Sequence, residues 1–250
     1  MNKPAVWQRA AAVLLALLVW QAAASLLNES ILLVSPWTVL GRLFTIWREP
    51  GFAATLLFSF VRIAGGFLAG LICGTLLGIL AGRYPVLEIL LWPYMITIKS
   101  VPVASFIILC LIWLTSSQLS MFISFLMVLP IVYTNLLSGI RGLDPRLNEM
   151  ADVFRVPWRR RLHYIWLPQL RPFFTSACGV SLGLAWKSGI AAEVIGIPAG
   201  SIGERLYEAK AYLNTPDLFA WTILIVAVSV CFEKLFMRLL RFGFQALEKS

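Results

Sequence analysis

The chain is divided into long apolar stretches separated by short polar breaks. A bilayer core of about 30 Å requires roughly 20 apolar residues in a helix, and six stretches approach or exceed that length. They cover residues 8–27, 55–81, 86–113, 119–140, 172–192 and 218–237. The pattern predicts an all-α membrane protein with about six transmembrane helices. It forms a single domain, 1–250, in which a first span with its external linker, 1–50, precedes a core of residues 51–242.

The first apolar stretch also has features of a signal peptide, because it follows Lys3 and Arg9 near the N-terminus. No clear cleavage site follows it, and it is long enough to cross a bilayer. We therefore interpret it as the first transmembrane helix.

The basic residues predict which way the chain crosses the membrane. Only 13% of residues are charged, against roughly 25% in soluble domains, and the net charge is +9. These basic residues flank or interrupt the apolar stretches instead of forming a face with interleaved aromatics, so we expect no nucleic-acid partner. With a cytoplasmic N-terminus, fourteen of them fall in inside segments and four in outside segments. The bias predicts that both termini and residues 141–170 are cytoplasmic.

Five glycines follow one another at a spacing of four through the second apolar stretch and just beyond its end: Gly66, Gly70, Gly74, Gly78 and Gly82. Residues four apart lie on one face of a helix, so these glycines form a smooth ridge that a second helix can approach closely. We interpret the ridge as helix packing and not as a phosphate-binding turn, because the glycines lie inside a hydrophobic helix.

The four cysteines lie inside apolar stretches, and none is spaced as CxxC or placed near the single histidine, His163. We interpret them as small apolar residues of helices and predict neither a disulfide framework nor a metal site.

A charged, amphipathic segment, residues 141–170, separates the fourth and fifth spans. Asp144 and Pro145 suit the N-cap and the first position of a helix. Leu147, Met150 and Phe154 then recur at helical spacing, which predicts an amphipathic helix of about ten residues. We expect Pro157 to open a second helix and Pro168 to end it before the fifth span.

This segment has two simple interpretations: a helix lying on the lipid surface, or a topological anchor. Neither explains Glu149 and Asp152, or an apolar face presented on the cytoplasmic side. A helix that docks in the groove of a cytoplasmic partner explains both. We expect the arginines at 159–161, by contrast, mainly to hold the following helix at the inner leaflet.

The same segment resembles the EAA loop of permease subunits of ATP-binding-cassette (ABC) importers. The pattern of that loop is an EAA triplet, then a glycine, then an LP pair, matched here by Glu149-Met150-Ala151 and Leu167-Pro168. SFVRIAGGFLAG, SLGLAWKSGIAAEVIG and YLNTPDLFAW further resemble the subgroup for nitrate, taurine, alkanesulfonates and thiamine precursors. Arg155 stands where the glycine is expected, so we expect the turn to be made differently, at Val156-Pro157.

The resemblance implies a type I ABC importer permease fold with a cytoplasmic coupling helix between spans 4 and 5. It implies a non-catalytic subunit in a prokaryotic cell membrane, paired with a second permease copy, two cytoplasmic ATPases and an extracytoplasmic binding protein. No GxxxxGK[ST] motif occurs, so we expect no cofactor on this chain and ATP with Mg²⁺ on the ATPases. The predicted ATPase-coupling residues are Arg146, Leu147, Glu149, Met150, Ala151, Phe154 and Arg155.

Charged residues at membrane depth are costly and point to function. Lys99 and Lys187 either line a path for an anionic solute, or snorkel to an interface or pair with a carboxylate to hold a gate closed. The predicted path and gate residues are Lys99, Ser100, Trp186, Lys187 and Glu193. The stretch 196–212 is predicted to form an external gate helix that touches the binding protein.

The alternative class is a secondary transporter or channel driven by an ion gradient, or a membrane-embedded enzyme. Such proteins need carboxylates or clustered His, Asp and Glu at membrane depth. Glu88 and Glu193 lie near span ends and have no obvious relay of neighbours in the sequence.

Overall fold

The computed structural model describes residues 6–27 and 33–249, so residues 28–32 of the predicted external linker lie outside it. Within those ranges every regular element is helical. The α-helices are α1 (Val6–Leu27), α2 (Pro36–Thr45), α3 (Phe52–Arg83), α4 (Pro85–Ser100), α5 (Val103–Cys110), α6 (Ser116–Arg141), α7 (Pro145–Val153), α8 (Trp158–Arg161), α9 (Leu167–Gly196), α10 (Ile202–Ala211) and α11 (Thr215–Lys249). A short 3-10 turn, Ile46–Arg48, follows α2, and a π-helical turn, Leu162–Trp166, joins α8 to α9.

Four helices among the described residues are long and apolar enough to cross a membrane. They correspond to the predicted first, second, fourth and fifth spans: Ala10–Leu27, Phe52–Arg83, Ser116–Arg141 and Trp158–Gly196. The sixth predicted span, 218–237, lies within the 35 residues of α11. α11 is not one of the four, so the predicted membrane-spanning character is confirmed for the first, second, fourth and fifth spans, and the predicted order of the elements is confirmed throughout the described residues.

The third predicted span is not one helix. It consists of α4 and α5, which meet at an angle of 105°. Pro102 has no backbone N–H and disfavours helical geometry in the residue before it, so Val101 is extended, with φ −73° and ψ 130°. The span predicted over 86–113 is therefore broken at Pro102, and the pair counts as a fifth span only if it is taken as one broken helix.

The glycine ridge of α3 packs against α6, which confirms its predicted role. A Cβ added at Gly66 would overlap the carbonyl oxygen of Met121, and one at Gly70 would lie 2.8 Å from Phe125 O. The register continues toward the ends of both helices, because Gly74 faces Leu129 O at 2.8 Å. Contacts that advance by four residues on each helix show that α3 and α6 run in parallel.

Helix α9 packs on α6 and, together with α11, completes the core. Gly139 of α6 faces Phe173 of α9, whereas Gly189 of α9 faces Ser124 of α6, so these two helices are antiparallel. Phe232 of α11 inserts its ring between α3 and α9. The core therefore holds α9 firmly along its length and leaves its two ends to carry short helices.

The helix that begins at Trp158 does not end at Pro168, as the sequence suggested. α8, the π-turn and α9 form one continuous helix of 39 residues, Trp158–Gly196. Pro168 lies in the first turn after the π-turn, where the change in hydrogen-bond pattern tolerates a residue without an N–H. The cytoplasmic segment and the fifth predicted span are thus a single element.

Candidate functional site

Helix α7 begins as the sequence predicts. The Asp144 side chain accepts a hydrogen bond from Arg146 N at 2.8 Å, and Pro145 occupies the first helical position. The cap provides an acceptor for one of the unpaired amides of the helix N-terminus, and the proline has no amide N–H that would need one. They fix the start of the helix and therefore the direction in which each of its faces points.

One face of α7 is apolar and open. Met150 is 47% exposed and Phe154, which ends the helix, is 73% exposed. Leu147, Glu149 and Arg146 of the predicted set are also exposed. Val153 is 79% exposed and belongs to the same face. It is not among the residues predicted from the sequence, although its position three residues after Met150 indicates it.

Ala151 does not belong to that open face. Its side chain is fully buried, at 0% exposure, on the side of α7 that faces the rest of the chain. The prediction that Ala151 contacts a partner is therefore wrong for this conformation, and the small side chain is explained by the close approach of α7 to its own protein.

The turn after α7 is made at Arg155, not at Val156-Pro157. Arg155 has φ +49°, in the left-handed region that glycine favours. Arg155 N donates to Asp152 O at 3.0 Å, and Val156 N donates to Ala151 O at 2.9 Å. This pair of bonds is the Schellman motif. Arginine thus adopts the conformation expected of the family's glycine, and the expectation of a displaced turn is wrong.

Three hydrogen bonds tie the inner side of α7 to the continuous helix. Asp144 N donates to Gln169 Oε1 at 2.9 Å, and Trp166 Nε1 donates to Asn148 Oδ1 at 2.8 Å. Arg161 donates to Asp152 Oδ1 at 2.6 Å. We call these three bonds the α7 ladder. Because the Arg161 side chain is only 19% exposed and is paired with Asp152, it is unavailable for the lipid contact expected of it.

The other end of α9 carries a buried carboxylate. Glu193 is 0% exposed, and its Oε2 accepts hydrogen bonds from Ser59 Oγ at 2.7 Å and from Gly203 N at 3.3 Å. Ser59 Oγ in turn accepts a bond from Ile202 N at 2.9 Å. The first two amides of α10 are therefore bonded to side chains of α9 and α3. We call this arrangement the α10 clasp.

Helix α10 confirms that a helix follows the glycine-rich stretch after α9. Ser201 Oγ caps it by accepting a bond from Glu204 N at 3.0 Å. Gly203 packs so closely that a Cβ would overlap the backbone of Glu193. Beside α10 is an open cavity of about 410 Å³, whose lining includes Arg205, Glu208, Tyr212 and Asp217.

The predicted path residues do not form one cluster. Lys99 Nζ donates to Thr134 Oγ1 at 3.2 Å, and the neighbouring Ser100 is exposed at the end of α4. Trp186 is 2% exposed and lies with its ring centroid 6.0 Å from that of Phe60. It is therefore part of the core in this conformation.

Lys187 is exposed on α9 and makes no hydrogen bond or ion pair with any residue that the structure describes. Ser176 and Val180 are exposed on the same side of the helix, and Cβ atoms added at Gly179 or Gly183 would meet nothing within 4 Å. The lysine therefore ends an open stripe along a helix that is otherwise packed in the core.

The chain was compared with protein families, with curated proteins and with solved structures. Residues 70–242 match the family described as "Binding-protein-dependent transport system inner membrane component". A putative aliphatic sulfonates transport permease protein of Bacillus subtilis is 32% identical over 184 residues, which are 73% of this chain and 66% of that protein. A bicarbonate transport system permease protein of Synechococcus elongatus is 25% identical over 70% of this chain and 64% of its own length. The chain thus spans about two thirds of these two relatives.

A taurine transport system permease protein of Escherichia coli is 26% identical over 93% of this chain and 84% of its own length. Among solved structures, an amino acid ABC transporter described as "with histidines" superimposes with a TM-score of 0.50 at 18% identity. The superposition covers 78% of this chain and 91% of that one, and it confirms the predicted importer permease fold.

Proposed function

Because the chain belongs to the family of binding-protein-dependent transport system inner membrane components, we propose that it is the permease subunit of an ATP-driven importer. The chain itself is the non-catalytic part of this assembly. ATP and Mg²⁺ bind to cytoplasmic ATPase subunits, and the energy of their cycle reaches the permease through contact with α7.

The observation that carries this proposal is the open apolar face of α7. Met150, Val153 and Phe154 project from a short helix that is capped at its start, closed by a Schellman turn and held to its own protein on the opposite side. An apolar face on such a helix suits docking in a groove of a partner. Glu149 and Arg146 at the rim provide charged contacts that fix the register.

We place the α7 end in the cytoplasm and the α10 end outside, as the distribution of basic residues favours. Two ATPases then dock on the α7 helices of two permease copies, and α10 with its neighbouring cavity faces an extracytoplasmic binding protein. The open stripe of α9 supports a second copy, because small residues at a helix surface allow close approach in a membrane.

The transported solute is a small anion. Lys187 is an exposed cation on a membrane-spanning helix, without a partner among the described residues, and this position is costly against lipid and favourable beside a water-filled path. Lys99 at the break between α4 and α5 is a second exposed cation, which donates a hydrogen bond to the hydroxyl of Thr134. The relatives named for aliphatic sulfonates, taurine and bicarbonate are consistent with this class of solute.

The test is reconstitution of the permease with the ATPase and binding protein encoded beside it. The double variant Met150→Asp/Phe154→Asp should abolish solute uptake and leave the helical content of the permease unchanged. Arg159→Ala, an exposed change on α8, is the matched control and should transport normally. Uptake that continues without ATP and follows an imposed ion gradient would establish the alternative, a secondary transporter.

The anion is tested in the same vesicles with Lys187→Met and Lys187→Arg. For taurine or an alkanesulfonate, Lys187→Met should lose most uptake and Lys187→Arg should retain it, because only the second keeps the positive charge. Equal uptake by both variants would contradict a role of this charge in the path.

A further inference from the structure

The α7 ladder is built on a regular spacing that the function described so far does not require. Asn148 and Asp152 of α7 are four residues apart and contribute side chains from one face, and Asp144, the N-cap one turn earlier, contributes its backbone amide. On the continuous helix its partners run in the opposite direction: Gln169, Trp166 and Arg161. The two elements therefore lie antiparallel and are joined at three successive levels.

The partners on the continuous helix could not share a face in a regular α-helix. Residues five apart, such as Arg161 and Trp166, point about 140° apart at 3.6 residues per turn. The π-turn, Leu162–Trp166, follows Arg161 and contains Trp166, and its i to i+5 bonding widens the turn and so brings residues five apart closer to one face. The π-turn is thus what allows both side chains to reach α7.

Each bond of the ladder joins complementary groups. The indole of Trp166 is a donor only and meets the amide oxygen of Asn148, whereas Arg161 meets a carboxylate. The amide of Gln169 is held at both of its ends, because Nε2 donates to Ile165 O at 2.9 Å while Oε1 accepts from Asp144 N. The side chain of Gln169 therefore cannot turn away from α7 without losing two bonds.

We propose that Asn148, Asp152, Arg161, Trp166 and Gln169 are positioning residues that make α7 a rigid extension of α9. This inference rests on the proposed function. When the ATPases move α7, the ladder transmits that motion to the whole 39-residue helix Trp158–Gly196, which reaches the α10 clasp at its far end. About 40 Å separate Trp166 from Glu193 along this helix. Without the ladder, α7 would still bind its partner, but it would move relative to α9 by bending at the Arg155 turn.

The first arm of the test measures rigidity in the permease alone. Spin labels at Val153→Cys and Ser176→Cys, in a cysteine-free background in lipid nanodiscs and diluted with unlabelled chain, report the distance between α7 and α9. We expect a narrow distance distribution in the parent protein. Asn148→Leu, which keeps the side-chain shape but removes the acceptor, should broaden it, and Asn148→Asp, which restores an acceptor for Trp166, should narrow it again.

The second arm measures solute transported per ATP hydrolysed in the reconstituted transporter. Asn148→Leu should lower this ratio roughly threefold without lowering ATP hydrolysis itself, and Asn148→Asp should restore the ratio. A merely structural role would reduce both quantities together.

The two arms separate the inference from the proposed function. If the distance distribution between the spin labels stays narrow in both Asn148→Leu and Trp166→Phe, the ladder does not make α7 rigid, whatever the result of the transport assay. A broadened distribution with an unchanged transport ratio would overturn its role in coupling. Absence of ATP-dependent uptake by the parent protein would refute the proposed function and leave the first arm to decide the rigidity of α7.

Discussion

The two ends of α9 each carry a short helix, but they hold it in different surroundings. At one end the α7 ladder is largely exposed: Asp152 has 68% of its side chain accessible. At the other end the α10 clasp is closed to solvent, since Glu193 and Ser59 are both 0% exposed. Each attachment consists of three hydrogen bonds. The ladder joins α7 and its N-cap amide to side chains of the continuous helix. The clasp joins the first two amides of α10 to Ser59 and Glu193, which also bond to each other.

This difference determines how strong each attachment is and what it can do. Exposed bonds compete with water and salt and contribute little individually, whereas a buried group that loses its partner is left unsatisfied at a large cost. α10 is therefore fixed to α9 and α3 as part of the core. α7 is oriented by a ladder that is strong only as a set, which suits a surface that must meet a partner.

The largest expected effect is at Glu193. Glu193→Ala leaves Gly203 N and the Ser59 hydroxyl without their buried acceptor, so we expect it to destabilise the protein by about 3 kcal/mol. Unfolding in mixed micelles of dodecyl maltoside and SDS measures this change. Glu193→Gln is the matched control, because it keeps an acceptor oxygen at the same place and should cost less than about 1 kcal/mol.

The equivalent change at the exposed end, in the α7 ladder, tests whether burial is what distinguishes the two attachments. Asp152→Ala should cost well below the buried change, at most about 1 kcal/mol. If Glu193→Ala and Asp152→Ala had equal effects on unfolding, burial would not be what distinguishes the two ends of α9.

A smaller effect distinguishes the ends by their response to salt. A double-mutant cycle of Asp152→Ala and Arg161→Ala should give a coupling free energy of about 0.5 kcal/mol at low ionic strength. Near 1 M salt, where the Debye length is about 3 Å, the coupling should approach zero. The cycle of Ser59→Ala and Glu193→Ala should keep its value, and a parallel decline in both cycles would show that water reaches the clasp.

The sequence predicted those features that depend on local pattern. The spacing of Gly66 and Gly70 predicted that α3 packs closely on another helix, because residues four apart share one face. The spacing does not show which residues they contact, and the structure identifies these as Met121 and Phe125. Asp144 marked the start of α7 because capping acts over two residues. Both signals are complete within a few positions of the chain.

Other features depend on residues that are distant in sequence, or on whether a helix ends or continues at a proline, which the local pattern does not decide. Glu193 bonds Ser59 across 134 positions, so its lack of a neighbouring partner was misleading. Pro168 predicted the end of a helix, but the helix continues through it, because the π-turn before Pro168 changes the hydrogen-bond pattern and tolerates a residue without an N–H. Pro102 breaks the third predicted span because Val101 is extended. In each case tertiary packing selected among outcomes that the local sequence left open.

The smallest expected effect concerns the two turns that end α7 and α9. Both use a non-glycine residue with positive φ, Arg155 at +49° and Ile197 at +46°. The left-handed conformation costs about 1 kcal/mol or more for a residue with a Cβ, and β-branched side chains suffer most. Glycine removes this strain but adds an entropic cost of about 0.5–1 kcal/mol.

We therefore expect Ile197→Gly to stabilise the protein by about 0.5 kcal/mol at most, because the relief of β-branched strain is partly offset by the lost burial of a side chain that is 37% exposed. Arg155→Gly should lie close to zero, because an unbranched side chain tolerates this conformation better. Thermal unfolding of the two variants in the same detergent measures the difference. A larger gain from Arg155→Gly would mean that the turn after α7 stores more strain than the turn after α9. The arginine would then be retained there for its contact with a partner and not for the fold.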